Sequence, residues 1–432
     1  MNTIIMKKNK DIIAKMYPRI QQTKFDEVFT YGNLYNIGYA CIQGVFWKRS
    51  VQNYFLNIVS NTARICEELK NREFRSPGFS HFVINERGKI RDINAVRIEE
   101  RVVQKTLCEI GLRPIVVPRL IVRNCASLPG RGTNAALYNF KQDLATAFRR
   151  HGPNCYILIT DYHAYYDSID HLTLLNIFYN WIEDKDIFDL FGYFVSTFVN
   201  LNEGSRTIQT MNSIDPSKSP SKNKIKTGIY QYTDLEMYDW YNDSSYFDSN
   251  TILDIGLGLG SEISQLAAIA YINAIDHAVK EKYRIEFYER NMDDSYLIDP
   301  DIVKLKECFA FLQEESLKYN LTYNPKHTNM YKISDYYTFL KKNTYVDPKT
   351  GKVIMKLLNE AIVKHRHTFK NQFHLLQQGR MTIEDIYNNF YAWRQSVTCF
   401  NSRDTLIGLT NEFLSIYGPY LDQVYIDTLR RL

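Results

Sequence analysis

FYERNMDDSYLID, residues 287–299, decides the fold. It reads as two short β-rich runs hinged on the adjacent acids Asp293 and Asp294. Taken alone, two acids at a hairpin tip are a solvated turn, because Asp suits turn backbone and stays hydrated there. A second acid changes that reading. CYILIT, residues 155–160, is a short apolar run with the character of a buried strand, and Asp161 stands at its end in DYHAYYDSIDH. If that strand lies beside the hairpin, Asp161 and Asp293 meet at one edge of a sheet. Three clustered carboxylates repel one another unless a cation neutralises them, and hard, oxygen-seeking Mg²⁺ is the natural cation, with Mn²⁺ as a substitute. Two such ions about 4 Å apart activate a 3′-hydroxyl and steady a departing pyrophosphate. That is phosphoryl transfer, in which catalysis is mainly positioning and charge neutralisation. The plainer role for Asp161, a helix cap, is better filled by Asp167 or Ser168.

Size and composition set the frame. At 432 residues the chain suits two or three lobes, each able to bury a core. A hydrophobic share of 45% excludes wholesale disorder. The 32 Tyr and 24 Phe would serve base stacking and a Tyr-rich core equally well. A net charge of +5 is compatible with a nucleic-acid partner without requiring one. The seven cysteines are scattered and form no CxxC pair, so no zinc site or disulfide framework is expected and a cytoplasmic setting is the simple reading. No apolar run is long enough for a membrane span, and the N-terminus MNTIIMKKNKDIIAKMY is too charged for a secretory leader.

Along the chain, residues 1–75 read as mostly helical, and SHFVINERGKIRDINAV as a hairpin around Glu86-Arg87-Gly88. EERVVQKTLCEIGLRPIV has helical spacing, and a Gly/Pro loop then feeds a helix capped near Thr133 or Asn134. Residues 202–252 are polar and low in complexity, which predicts a long insertion. A helix follows with Ser261 or Ser264 as its N-cap, then the acidic hairpin, a helix near 301–319, and strand-like YYTFLKK and KVIMKLL. The remainder is helical, punctuated by Gly379, with Thr382 and Asp385 spaced as a capping box.

These motifs, in this order, resemble bacterial reverse transcriptases from about residue 30 onward. KIRDI (89–93) and ERVVQ (100–104) resemble the family's fingers, and SLPGRGTNAA its next loop. DYHAYYDSIDH resembles motif A, GLGLGSEISQLAAIAYINAIDH motif B, ERNMDD motif C, LTYNPKHT motif D and YTFLKK motif E. GRMTIEDIYNNFYAWRQSVTCFNS is similar to the thumb segment outside the classical mobile introns. The resemblance implies an α+β right-hand polymerase: mixed α/β fingers within 1–155, a ferredoxin-like antiparallel palm at 156–345, and an α-helical thumb at 346–432. It assigns the metals to Asp161, Asp293, Asp294 and the backbone carbonyl of Tyr162. It assigns exclusion of a 2′-hydroxyl to Tyr166, the incoming triphosphate to Lys89 and Arg91, and a proton for pyrophosphate to Lys326. Gly260, Ser261 and Gln265 would floor the nucleotide site, and Arg101, Arg123 and Arg131 would contact template phosphates. For several of these the residue alone argues otherwise: Tyr166 suits core packing, and Lys89, Arg91 and Lys326 suit a solvated surface.

Some positions depart from the family pattern. Asn291 replaces the usual Tyr of motif C, Gly258 a Pro in motif B, and Leu259 a frequent Gln. None of these is a metal ligand. With no endonuclease, RNase H or zinc module recognised beyond the thumb-like segment, the chain resembles the defence-associated branch. That implies an RNA-directed DNA polymerase acting against phage with a non-coding RNA template, deoxynucleotides and a DNA product. Protein-primed or template-independent synthesis of abortive-infection type, a diversity-generating enzyme and a catalytically silent RNA-binding scaffold are the alternatives.

Overall fold

The computed structural model describes residues 22–86, 89–198, 208–210, 228–232, 239, 241–242, 255–258, 260–397 and 401–431. Most of the 202–252 insertion, and Leu259, lie outside the described residues; so do the side chains of Lys89 and Arg91. The strands are β1 (Phe79–Glu86), β2 (Lys89–Val96), β3 (Tyr156–Asp161), β4 (Ile208–Thr210), β5 (Gly228–Tyr232), β6 (Phe287–Asn291), β7 (Asp294–Asp299), β8 (Asn329–Lys332), β9 (Tyr337–Phe339), β10 (Lys342–Val346) and β11 (Val353–Leu357). They form small antiparallel sheets among many helices, an α+β chain. The chain divides into two compact units, each drawn from three separated segments.

The first unit comprises Met1–Pro129, Tyr162–Arg284 and Cys308–Asn324. Its sheet has the order β2-β1-β5-β4, and the β1–β2 hairpin falls where the sequence predicts it. The helix Ile98–Thr106 buries Val102 and Val103, passes through a π turn at Leu107–Leu112, and resumes at Arg113–Val116. Such wider turns occur mostly as single turns inside α-helices. The helix Lys185–Ser196 is buried from Ile187 to Ser196, so it is enclosed on every side. The helix after motif A, His171–Tyr179, is capped by Asp170, whose carboxylate accepts from Thr173 N at 2.7 Å. Neither Asp167 nor Ser168 is that cap, because the chain first makes a separate short turn of helix at Tyr165–Ser168.

The second unit comprises Gly130–Asp161, Ile285–Glu307 and Pro325–Leu432. Its main sheet has the order β6-β7-β3-β8, every neighbour antiparallel. Along the chain, helices separate β3 from β6 and β7 from β8, so the connectivity is β–α–β–β–α–β. The helix Thr133–His151 starts at the expected place but with Gly132 in the cap position, making no side-chain cap bond. Its apolar residues Leu137, Phe140, Leu144 and Ala147 share a core with Ile157, Ile159, Tyr296 and Ile298 of the sheet. Phe339, Val346 and Met355 of the three-stranded sheet β11-β10-β9 close that core. At the C-terminal end, Asp385 N donates to Thr382 Oγ1 at 3.1 Å and Thr382 N donates to Asp385 Oδ2 at 3.2 Å, the reciprocal capping box read from the sequence.

Candidate active site

β3 carries Asp161 to the end of its sheet. The strand reads Tyr156 to Asp161 with four buried residues between two half-buried ends. It pairs with β7 in a register that sets Asp161 directly opposite Asp294. Successive side chains alternate faces, so Asp161 lies on the face of Ile157 and Ile159, and Asp294 on that of Tyr296 and Ile298. Behind the acids, Thr160 and Ser295 face each other with hydroxyl oxygens 2.6 Å apart. Thr328 fixes the backbone of Asp161 on its other side: its Oγ1 accepts from Asp161 N at 3.2 Å and donates to Asp161 O at 3.3 Å.

Asp293 belongs to the turn between β6 and β7. Asn291 pairs with Asp294, which leaves Met292 and Asp293 as a two-residue loop. Met292 has φ +65°, the left-handed region that hairpin turns use and that glycine would occupy without strain. The turn is held from within by Arg290, which is buried and donates from Nη1 to Met292 O at 2.9 Å. A second hold comes from the helix Thr133–His151. Asn139 Nδ2 donates to Glu289 Oε2 at 2.7 Å, and Asp143 Oδ2 accepts from the Tyr296 hydroxyl at 2.7 Å. Asn139 and Asp143 are one helical turn apart, and Glu289 and Tyr296 are cross-strand partners, so one helix face grips both arms of the hairpin.

Asp161 and Asp294 are like charges directly opposite on a sheet, an arrangement that is destabilising unless neighbouring groups or a cation offset it. Among the described residues no three Asp, Glu, His or Cys side chains form a ready metal cage. Asp161 and Asp294 are instead a cross-strand pair, half-buried, with half-buried Asp293 next in the turn. An open set of carboxylate oxygens fits Mg²⁺, which binds through one or two carboxylates and completes its shell with water and phosphate oxygens. Lys326 is exposed in the segment leading to β8, two residues before Thr328.

Apart from Arg131, the remaining predicted residues lie in the first unit. Tyr162 is buried; its hydroxyl lies 2.8 Å from that of Tyr323 and 2.9 Å from Ser316 Oγ. Burial, reinforced by Tyr162, holds the Tyr323 phenol well above its usual range. Tyr166 is half-buried, edge-on to Tyr165. Its carbonyl accepts from Leu257 N at 2.9 Å, and Ile169 O accepts from Gly256 N at 2.8 Å. The motif B loop is thus tied to the turn that carries Tyr166. Gly260 has φ +114°, a conformation side chains rarely adopt, and lies against Ile93 and Asn94 of β2. Lys89 and Arg91 are on that same strand.

Ser261 is a structural residue as well as a candidate one. It caps the helix Glu262–Tyr271, accepting from Ile263 N at 3.2 Å, and donates to Gln104 Oε1 at 2.6 Å. Gln104 Nε2 donates to Glu100 Oε1 at 2.7 Å, and the other Glu100 oxygen accepts from the Ser76 hydroxyl. This buried relay ties the loop at 260–261 to the base of the β1–β2 hairpin. Glu100 is wholly buried, and burial pushes its carboxyl up to about 7 against the pull of Ser76 and Gln104. A cavity of about 310 Å³ opens beside the relay, lined in part by Arg101, Gln104, Lys105, Gly260, Ser261 and Gln265. Lys105 pairs with Glu262 at 2.8 Å on its wall. Arg123 is not among the lining residues, and Arg131 belongs to the second unit.

Thr328, Arg290, Asn139, Asp143 and Glu100 support these groups without having been singled out from the sequence. Thr328 and Gln104 close stretches that the motif reading quotes, LTYNPKHT and ERVVQ. Glu100 opens ERVVQ and Arg290 lies in ERNMDD, whereas Asn139 and Asp143 carry no local signal, because their partners are about 150 residues away in the chain.

No family model matches the chain, and no curated protein does. Among solved structures it is similar to a telomerase from Candida albicans in complex with a fragment of telomeric RNA. That likeness has a TM-score of 0.39 and 12% identity, over 84% of this chain and 67% of that one. Similarity at that level gives neither family nor function. No described helix is long and apolar enough to cross a membrane.

Proposed function

We propose that the chain is an RNA-directed DNA polymerase of right-hand type, with the β6-β7-β3-β8 sheet as its palm. One observation carries this reading: the register that opposes Asp161 to Asp294, with Asp293 beside them in the turn. The β–α–β–β–α–β connectivity is that of a ferredoxin-like palm, and the ordered motif resemblance supplies the substrate class.

In this reading Asp161, Asp293 and Asp294 hold Mg²⁺, joined by the Tyr162 carbonyl. Bound there, the metal supplies Lewis acidity to a 3′-hydroxyl and charge neutralisation to the triphosphate. The chain's own part is to hold the acids rigid: Thr328 fixes Asp161, and Arg290 with the 133–151 helix fixes the hairpin. Lys89 and Arg91 bind the triphosphate, Tyr166 excludes a 2′-hydroxyl, Gly260, Ser261 and Gln265 floor the nucleotide, and Lys326 protonates the leaving pyrophosphate. The biological role is phage defence with an associated non-coding RNA as template.

Primer extension on a defined RNA with deoxynucleotides and Mg²⁺ tests the reading. A product complementary to the RNA is expected. Asp293→Ala/Asp294→Ala should lose several kcal/mol of transition-state stabilisation, roughly 10²–10³-fold or more in rate. Mg²⁺ should raise the melting temperature of the natural chain and not of that variant. A random or homopolymeric product attached to protein would instead mark template-independent synthesis. Undiminished phage protection by the double variant would mark a scaffold.

A further inference from the structure

The first unit carries an exposed aromatic surface that the acidic site does not use. Tyr31, Tyr35 and Tyr39 recur every four residues along the helix Tyr31–Ile42, which places them on one face. The Tyr31 and Tyr35 rings are within 15° of parallel, with centroids 6.2 Å apart. Tyr39 continues to Phe55 at 6.3 Å, and Phe55 to Phe46 at 5.4 Å. Trp47, next to Phe46 in the chain, is 76% exposed, with the Lys48 ammonium 5.3 Å over its ring. Rings this large are seldom left in water without a partner.

The charge around them is one-sided. Residues 28–63 contain no Asp or Glu, and their only charges are Lys48 and Arg49. With 48 acids in 432 residues, one in nine, these 36 residues would ordinarily hold about four. Exposed Asp26 and Glu27 stand just before this stretch, at the Tyr31 end, so the cations lie at the Trp47 end. Flat aromatic faces that run toward cations match a polyanion with stackable bases. A second copy of the same face would bring Lys48 and Arg49 against themselves. The helix also exposes Gly32 and Asn36 between its tyrosines, which is not the continuous apolar face a lipid surface takes. The same helix supplies Ala40 and Cys41 to the wall of the cavity that Arg101 lines.

We infer that the Tyr31–Tyr35–Tyr39–Phe46–Trp47 surface binds single-stranded nucleic acid by base stacking, with Lys48 and Arg49 on its phosphates. That the strand held is the template rests on the polymerase reading. Titration with fluorescent oligouridylate tests the site. Tyr31→Ala/Tyr39→Ala/Trp47→Ala, all at exposed positions, should weaken binding at least about tenfold. Trp47→Phe should remove most of the tryptophan quenching on binding. Lys48→Gln/Arg49→Gln should lower the slope of log affinity against log salt by about 1.4, roughly 0.7 for each phosphate contact. Duplex RNA of equal length should bind more weakly, having no free base faces. Unchanged oligouridylate affinity in the aromatic variant overturns the inference, whether that variant loses self-association, binding to anionic vesicles or neither. Asp293→Ala/Asp294→Ala should still bind the oligomer. If the natural chain copies no RNA yet needs the stripe for binding, the site stands and the polymerase reading falls.

Discussion

Asp161 and Asp294 face each other across paired strands, and the side chains around them are arranged to keep them there. Tyr166 has a different task, since a ring acts by occupying space. If it abuts the sugar, Tyr166→Ala should admit ribonucleotides, shifting the deoxy-to-ribo ratio by roughly 10–100-fold in single-nucleotide incorporation. Glu100 gives a stability prediction. Its folded-state pKa is raised to about 7 by burial, above the ordinary 4.5. The folded protein therefore binds its proton more tightly than the unfolded chain does. That contribution is full below about pH 4.5 and is lost as pH rises through about 7, a loss of up to roughly 3 kcal/mol. Glu100→Gln, which keeps the hydrogen-bonding shape, should flatten this part of the stability profile in urea titrations at pH 5 and pH 7.

At the scale of elements, the acidic hairpin and the strand ending in Asp161 are legible because apolar runs and an acidic turn are local patterns. The hairpin between β9 and β10 is not. Its turn residues Leu340 and Lys341 both have positive φ, 44° and 61°, where sequence rules look for Asn-Gly. β10 was accordingly invisible, although it is the central strand of its sheet. Two substitutions probe elements that hold the site. Thr328→Val removes the hydroxyl that fixes Asp161 and should cost about 1 kcal/mol in chemical denaturation. If Asp161 needs that clamp, incorporation should fall as well. Gly260→Ala forces a side chain into a left-handed backbone and should cost roughly 1–3 kcal/mol, with weaker nucleotide binding.

For the whole molecule, the decisive pairing is long-range. β3 and its neighbour β7 lie more than 130 residues apart, and a complete β6-β7-β3-β8 sheet needs three separate segments of chain. Such topologies pay loop-closure entropy before any contact repays it, so refolding should be slow compared with a helical bundle. A chain ending at Glu286 keeps β3 without β6, β7 or β8. It should lack a cooperative transition for the second unit in calorimetry and incorporate no nucleotide.

The sequence by itself determined what acts over a few residues: the acids and their turn, the amphipathic helices, the Ser261 cap and the Thr382–Asp385 box. These interactions close within one helical turn or one hairpin, so the pattern already contains both partners. Tertiary structure alone decided the strand register that opposes Asp161 to Asp294, the Thr328 clamp, and the relay that buries Glu100 under Ser261. Each of those joins groups distant in the chain, and a one-residue slip in β3 would turn Asp161 to the other face of the sheet. No local pattern can encode that choice; the packing of the core around the sheet makes it.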